Sequence, residues 1–262
     1  MSISLIFFRI FQYIKYWLLR LDEHSLQSPF LFELYQQCLN KSSRKQIINH
    51  EIENLRVNLH QDQRRIMMNS YGSGTRLLSR QSNNIGAIAK GGISSRIDSE
   101  ILVNLIQHYK CKTLLELGTS LGINTCYLSK ESNLEKIVSI EGNEELASIA
   151  EYNLKKLNCD NVELICNDID DYFRSLDGKF DLIYIDANHT FDATNRYFNY
   201  ALNHLSQYGI IVIDDIYWTP EMSNAWESIR TNNSEHLFVE NDRIGIVFAF
   251  KKNEKNHYVL NF

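Results

Sequence analysis

Proline is nearly missing from this sequence. Pro29 and Pro220 are the only two in 262 residues, which excludes proline-rich linkers and leaves helical stretches unbroken. Cysteine is sparse: Cys38, Cys111, Cys126, Cys159 and Cys166 are odd in number, scattered, and never spaced as C-x-x-C. That spacing excludes a disulfide framework and points to reduced thiols in a cytoplasmic protein. Positive charge is not in excess either. With 27 Lys and Arg against 32 Asp and Glu, the net charge is -5, and no broad electrostatic grip on nucleic acid is expected. Long uncharged apolar runs are also missing. Residues 1–21 come nearest, but Arg9, Lys15 and Arg20 interrupt them well short of the ~20 residues a bilayer requires. No small-residue cleavage site follows, which argues against a secretory signal.

What is present is a 44% hydrophobic fraction, enough for one sizeable core and an appendage. On a helical wheel Ser2, Arg9, Gln12, Lys15 and Arg20 share one sector of the first 21 residues and leave a wide apolar face. Two readings compete for that face. It packs on its own domain or on a second subunit in a homodimer, or it lies on a membrane as an interfacial helix.

Residues 1 to about 110 read as helical. Ser28-Pro29 starts a helix, with proline at an early position that tolerates it. Ile48, Ile52, Leu55 and Leu59 form one apolar stripe on a polar helix, and residues 71–75 read as a loop. Ile97, Ile101, Leu102, Leu105 and Ile106 mark a further helix. The chain then alternates. Strands are expected at 113–117, 137–141, 162–166, 180–186 and 209–214, with helices between them. A helix near 220–230 and a closing hairpin of 236–240 with 244–251 follow. The nearly continuous apolar runs mean strands buried on both faces, hence a parallel sheet. The expected fold is α/β: a Rossmann-like, doubly wound, mostly parallel seven-stranded sheet with a C-terminal antiparallel hairpin. Residues 1–94 are expected to form a helical cap, and residues 95–262 the ligand-binding domain.

The segment Leu114-Leu115-Glu116-Leu117-Gly118-Thr119-Ser120-Leu121-Gly122 carries the most information. It reads as a buried strand, a glycine turn and a helix start. Glycines tolerate turn conformations that a side chain disfavours, and the helix directs free amides back over the turn. Glu141 closes the next strand nineteen residues after Gly122. A glycine turn followed by a carboxylate at the next strand tip makes a nucleoside pocket, with the carboxylate on the ribose hydroxyls. The turn has two glycines rather than G-x-G-x-x-G, and Glu116 adds negative charge where a diphosphate needs the opposite. A nucleotide-dependent oxidoreductase is therefore disfavoured, and a cationic ligand is favoured.

This nonapeptide resembles motif I of the class I S-adenosylmethionine-dependent methyltransferases, and the likeness covers roughly residues 95–251. With Ser28-Pro29-Phe30, Gly72-Ser73-Gly74, Asp214-Asp215-Ile216-Tyr217-Trp218 and His257-Tyr258-Val259-Leu260, the chain also looks like a poorly characterised group from Bacteroidetes-type bacteria. The group's Asp-Phe-Gly-Ala-Gly-Ser is Ser70-Tyr71-Gly72-Ser73-Gly74-Thr75 in this chain, without the aspartate. The resemblance implies S-adenosyl-L-methionine as cofactor. It would lie on Glu116, Gly118, Thr119, Ser120 and Gly122, on Glu141 and Gly142, on Asp168 and Ile169 near the adenine, and on Asp186.

Asp186-Ala187-Asn188-His189 and Asp214-Asp215 follow the last two parallel strands. Oxygen methylation needs a base or a metal to handle the acceptor proton. His189 is the candidate base, with Asp186 beside it. Asp186, Asp214 and Asp215 are candidate oxygen ligands for Mg2+. The arrangement resembles the metal-dependent O-methyltransferases, with two departures. The catechol type has Asp-Asn where this chain has Asp214-Asp215, and a lysine where this chain has His189. Tyr217 and Trp218 either wall a flat acceptor or pack the domain edge. The expected function is O-methyl transfer to a small molecule or to a glycan- or lipid-linked acceptor. The alternative is a binding module that holds the cofactor without turnover.

Overall fold

The computed structural model describes residues 3–67, 84–92, 94–249 and 256–262. Ser2, the 70–75 segment with its Gly72-Ser73-Gly74 loop, and residues 250–251 of the expected hairpin lie outside the described residues. The chain divides into two compact units, one of residues 45–178 and one of residues 1–44 with 179–262.

In the first of these, β1 (Thr113–Leu117), β2 (Lys136–Glu141) and β3 (Val162–Cys166) run parallel in the order β3-β2-β1. Leu114, Leu115, Leu117, Ile137, Val138 and Ile140 are buried, as the apolar runs require. Helices join the strands, and three helices of this unit are held at their starts by side-chain caps. Asn143 caps Glu144–Lys156, Asp168 caps Ile169–Ser175, and Ser95 with Asp98 closes a capping box on Arg96–Tyr109. Each such cap is worth about 1 kcal/mol. Helices His50–Gln61 and Ile85–Gly91 bury Ile52, Leu55, Leu59, Ile85 and Ile88 in one cluster with residues of the Ile123–Ser129 and Glu144–Lys156 helices. Ile48 precedes the first of these helices and is exposed, so the expected stripe starts at Ile52.

The other unit holds β4 (Phe180–Ile185), β5 (Leu205–Ile213), β6 (Leu237–Glu240), β7 (Gly245–Phe248) and β8 (His257–Val259), in the order β4-β5-β7-β6-β8. β4 and β5 are parallel, β7 is antiparallel to both β5 and β6, and β8 adds parallel to β6. The described residues therefore contain eight strands rather than the expected seven. The added strand is β8, three half-buried residues without the apolar run of the others. The rest of the fold class stands: a Rossmann-like α/β architecture, mostly parallel, with a closing antiparallel hairpin.

The helical residues before position 94 do not form one cap. Helix Pro29–Leu34 and the turn that continues it to Leu39 belong with the C-terminal strands. Phe30 meets Phe248 edge-on at 5.3 Å, and Tyr35 donates its hydroxyl to the Asn261 carbonyl at 2.8 Å. Leu21 exchanges backbone hydrogen bonds with Val259 and Asn261 at 2.8 and 3.0 Å. Residues 45–67 and 84–91 instead pack within the unit of β1–β3, because their apolar stripe matches the helices there.

The first helix, Ile3–Leu19, is turned opposite to the usual sense. Its polar side chains face its own unit: the Arg9 Nε donates to the Trp218 carbonyl at 3.0 Å, and Gln12 reaches Ser223 at 3.4 Å. Tyr16 is its one buried residue. Ile3, Phe7, Ile10, Phe11, Ile14 and Leu18 are 50–74% exposed. Among the described residues, no helix is long and apolar enough to cross a membrane.

Candidate functional site

The carboxyl ends of β1–β3 carry the glycine turn. Gly118 and Gly122 take φ values of 100° and 78°, and Ser120 between them takes 51°. A Cβ at Gly122 would stand 3.3 Å from the Ala150 Cβ, so both space and conformation call for glycine there. The Gly118 and Thr119 amides both donate to the Ile140 carbonyl, at 2.9 and 3.1 Å, which ties the turn to the end of β2.

Glu141 accepts from the Ser120 amide at 2.8 Å with one carboxylate oxygen and from the Asn143 amide at 2.9 Å with the other. These two backbone donors, one on each oxygen, fix the direction of the carboxylate. Gly142 follows it with ordinary room, an added Cβ lying 3.8 Å from the Asn167 carbonyl. Glu116 is buried at 1% exposure and accepts from Asn124 at 2.8 Å, Thr125 at 2.5 Å and Ser139 at 2.6 Å. Thr119 in turn shares a 2.6 Å hydrogen bond with Ser139. Glu116 thus organises the base of the turn through three neighbours, a role its position in the motif did not reveal. Asp168 caps the following helix, accepting from the Asp170 amide at 2.8 Å, and Ile169 behind it is buried.

The ends of β4 and β5 carry the second group of residues. Asp186 and His189 lie 3.4 Å apart, their side chains 18% and 15% exposed. Asp215 joins them: the ligating atoms of Asp186, His189 and Asp215 all lie within 4.8 Å of one another. Asn188, His189 and Asp215 take left-handed φ values of 63°, 36° and 55°. Such conformations in residues other than glycine cost about 1–3 kcal/mol each and cluster at functional sites.

Asp214 is not a candidate metal ligand, which corrects its assignment from the sequence. It is fully buried and committed to structure. Arg243 grips it with two nitrogens at 2.8 and 2.9 Å, Tyr184 donates its hydroxyl at 2.8 Å, and the Asp215 amide donates at 2.7 Å. Burial alone would raise the Asp214 carboxyl, but Arg243, Tyr184 and the Asp215 amide hold it below the ordinary range. Arg243 lies in the turn between β6 and β7, far along the chain, and no motif pointed to it.

Burial and then the Asp214 charge push the Asp215 carboxyl up to about 7, against the pull of His189 and Arg243. For His189, burial alone would lower the pKa. The hydrogen bond and charge of Asp186, with the charges of Asp215 and Asp214, raise it to about 9. A His189 held charged in this way would be a weaker proton acceptor than an ordinary imidazole. Asp215, titrating near neutrality, is better matched to that task.

The raised Asp215 pKa has a stability consequence. The unfolded group ionises near its ordinary carboxylate pKa and the folded one near 7, so Asp215 destabilises the fold progressively as pH rises between those values. Asp215→Asn is expected to raise the melting temperature at pH 8, with the gain shrinking as pH falls from 7 towards 4. A gain that is equal at pH 8 and pH 4 would show that Asp215 is not held protonated.

Tyr217 and Trp218 pack rather than stand open. Tyr217 donates to buried Glu240 at 2.6 Å, and the Arg9 guanidinium lies 3.6 Å over the Trp218 ring.

Residues 115–216, from β1 to just beyond β5, match the sequence model of a family described as "Methyltransferase domain". Those residues, under two fifths of the chain, are similar to methyltransferase domains. An O-methyltransferase, hkm8 of Aspergillus hancockii, is 29% identical over 126 residues, 45% of this chain and 49% of the relative. The chain therefore spans about half the length of that curated relative. Solved methyltransferases share the fold. The O-methyltransferase from Bacillus cereus in complex with SAH superposes with a TM-score of 0.56 at 18% identity, covering 77% of this chain and 92% of that one. PaMTH1 of Podospora anserina, bound to SAH, gives 0.55 at 19% identity, covering 77% and 97%. TomG of Streptomyces achromogenes, in complex with SAM, gives 0.53 at 18%, covering 70% and 99%.

Proposed function

We propose that this protein is an S-adenosylmethionine-dependent O-methyltransferase acting on a small-molecule, glycan-linked or lipid-linked hydroxyl. The observation that carries the reading is the Asp186–His189–Asp215 cluster at the ends of β4 and β5 of a methyltransferase domain. An oxygen acceptor must lose a proton as it attacks, and these residues supply the groups to manage that proton. Asp215 takes it, since its carboxyl titrates near 7. Charged His189 holds Asp186 and faces the oxygen as negative charge develops. With the His189 proton released, one nitrogen and two carboxylates within 4.8 Å of one another would alternatively hold a divalent cation such as Mg2+. When bound there, that ion would lower the pKa of the acceptor hydroxyl.

For the cofactor, the aimed carboxylate of Glu141 would receive the ribose hydroxyls, and the Gly118–Gly122 turn would pass close to the methionine part. Most of the acceleration would come from holding the sulfonium methyl in line with the acceptor oxygen. Losing a charge-assisted hydrogen bond costs about 1.5–3 kcal/mol. Glu141→Ala is therefore expected to weaken S-adenosylmethionine binding by about one to two orders of magnitude in calorimetry. Glu141→Gln, which keeps one acceptor for the Ser120 amide, should lose less. Equal affinity in folded Glu141→Ala removes the residue from the site.

The activity itself is tested by incubating the protein with methyl-labelled S-adenosylmethionine and a panel of catechol and sugar hydroxyls, with Mg2+ and with a chelator. Label transfer supports the reading. Tight cofactor binding with no transfer to any hydroxyl would instead favour a binding module.

A further inference from the structure

The first helix shows its apolar side to solvent and its polar side to its own unit. At 100° per residue, the sector from Tyr13 round to Phe11 spans about 160° and contains no polar side chain. It holds Phe7, Phe11, Tyr13 and Trp17, all more than half exposed. Rings of this kind suit the headgroup boundary of a bilayer. Lys15 flanks the sector on one side and Arg20 on the other, and residues 1–21 contain no Asp or Glu.

We propose that this helix docks the protein on an anionic lipid surface, lying in its plane. Charge decides between this occupant and a second copy of the chain. Helices that pair with one another carry complementary charges along the flanks of their apolar seam. Both flanks here are basic, so two such helices would place like charges together with no acid on either helix to relieve them. A surface of phosphate headgroups meets both flanks at once, while the lysine stem lies along the apolar boundary. The attachment is also rigid. Arg9, stacked on Trp218 and bonded to its carbonyl, fixes which side of the helix faces outward.

The full chain is to be floated with phosphatidylcholine vesicles, with and without about 30% phosphatidylglycerol. Wild type is expected to float with the anionic vesicles and about tenfold less with the neutral ones. Phe7→Glu/Ile14→Glu should reduce flotation by about tenfold or more. Both positions are exposed, so the variant should retain the circular dichroism spectrum and melting temperature of wild type. A second measurement does not depend on that variant. Anionic vesicles should shift the tryptophan emission to the blue, and Trp17→Phe should abolish the shift. Three results would overturn the proposal: no flotation of wild type, flotation unchanged in Phe7→Glu/Ile14→Glu, or a dimer in sedimentation that this variant dissociates while vesicles capture nothing.

Discussion

His189→Ala is expected to lower the rate of methyl transfer by about 10²–10⁴-fold with S-adenosylmethionine affinity unchanged. The reason is electrostatic. His189 is the one cationic side chain of the Asp186–His189–Asp215 cluster, and it draws Asp215 downward from an even higher pKa. Without it, two carboxylates face each other with less compensation, Asp215 stays protonated at neutral pH, and the base is lost. The rate of the variant should therefore recover in part as pH is raised, because the Asp215 titration moves upward. A readout that needs no acceptor is Mn2+ binding followed by electron paramagnetic resonance. Wild type should bind the ion with release of the His189 proton, more tightly as pH rises, and His189→Ala should bind it more weakly and without that pH dependence. If the rate, its pH profile and Mn2+ affinity are all unaltered, the cluster is not the acceptor end of the site.

Arg243→Leu is expected to cost about 3–5 kcal/mol of stability, read as a lower urea midpoint and melting temperature. Asp214 is fully buried, and Arg243 supplies two of its four hydrogen bonds. Removing the arginine leaves an ionised carboxylate with only a hydroxyl and an amide, away from water. Replacing both partners should hurt less, so Asp214→Leu/Arg243→Met is expected to recover most of the loss. A single variant as stable as wild type would show that the pair is not what keeps Asp214 charged. Asp214→Asn is accordingly expected to lower activity by loosening the tip of β5, since its carboxylate is bonded to Arg243, Tyr184 and the Asp215 amide.

Periodicity and motif made most of the architecture legible. The runs at Leu114–Leu117, Ile137–Ile140 and Ile210–Ile213 are buried on both faces, and such strands announce themselves in sequence. The position of Glu141 at the end of β2 was legible too, because the apolar run before it stops there. β8 was not legible: its three residues earn their pairing from β6 and have no pattern of their own. The functions of Asp214 and Asp215 could not be separated either. Adjacent aspartates look alike in sequence, and the left-handed backbone of Asp215 and the reach of Arg243 from a distant hairpin turn decide which is sealed and which faces the site. The first helix illustrates a further limit. A helical wheel shows that an apolar face exists, and only Arg9 on Trp218 shows that it points away from the protein.

The unit of β4–β8 is built from residues 1–44 and 179–262, with Leu21 bonded to Val259 and Asn261. The first of its two pieces leaves the ribosome well before the second. At about 5–20 residues per second, the first helix is finished on the order of ten seconds or more before the strand that clamps it exists. Through that interval the greasy segment has no fold of its own to join. Whatever partner the nascent chain meets in that interval, chaperone or lipid, meets this helix before the strands it belongs with exist.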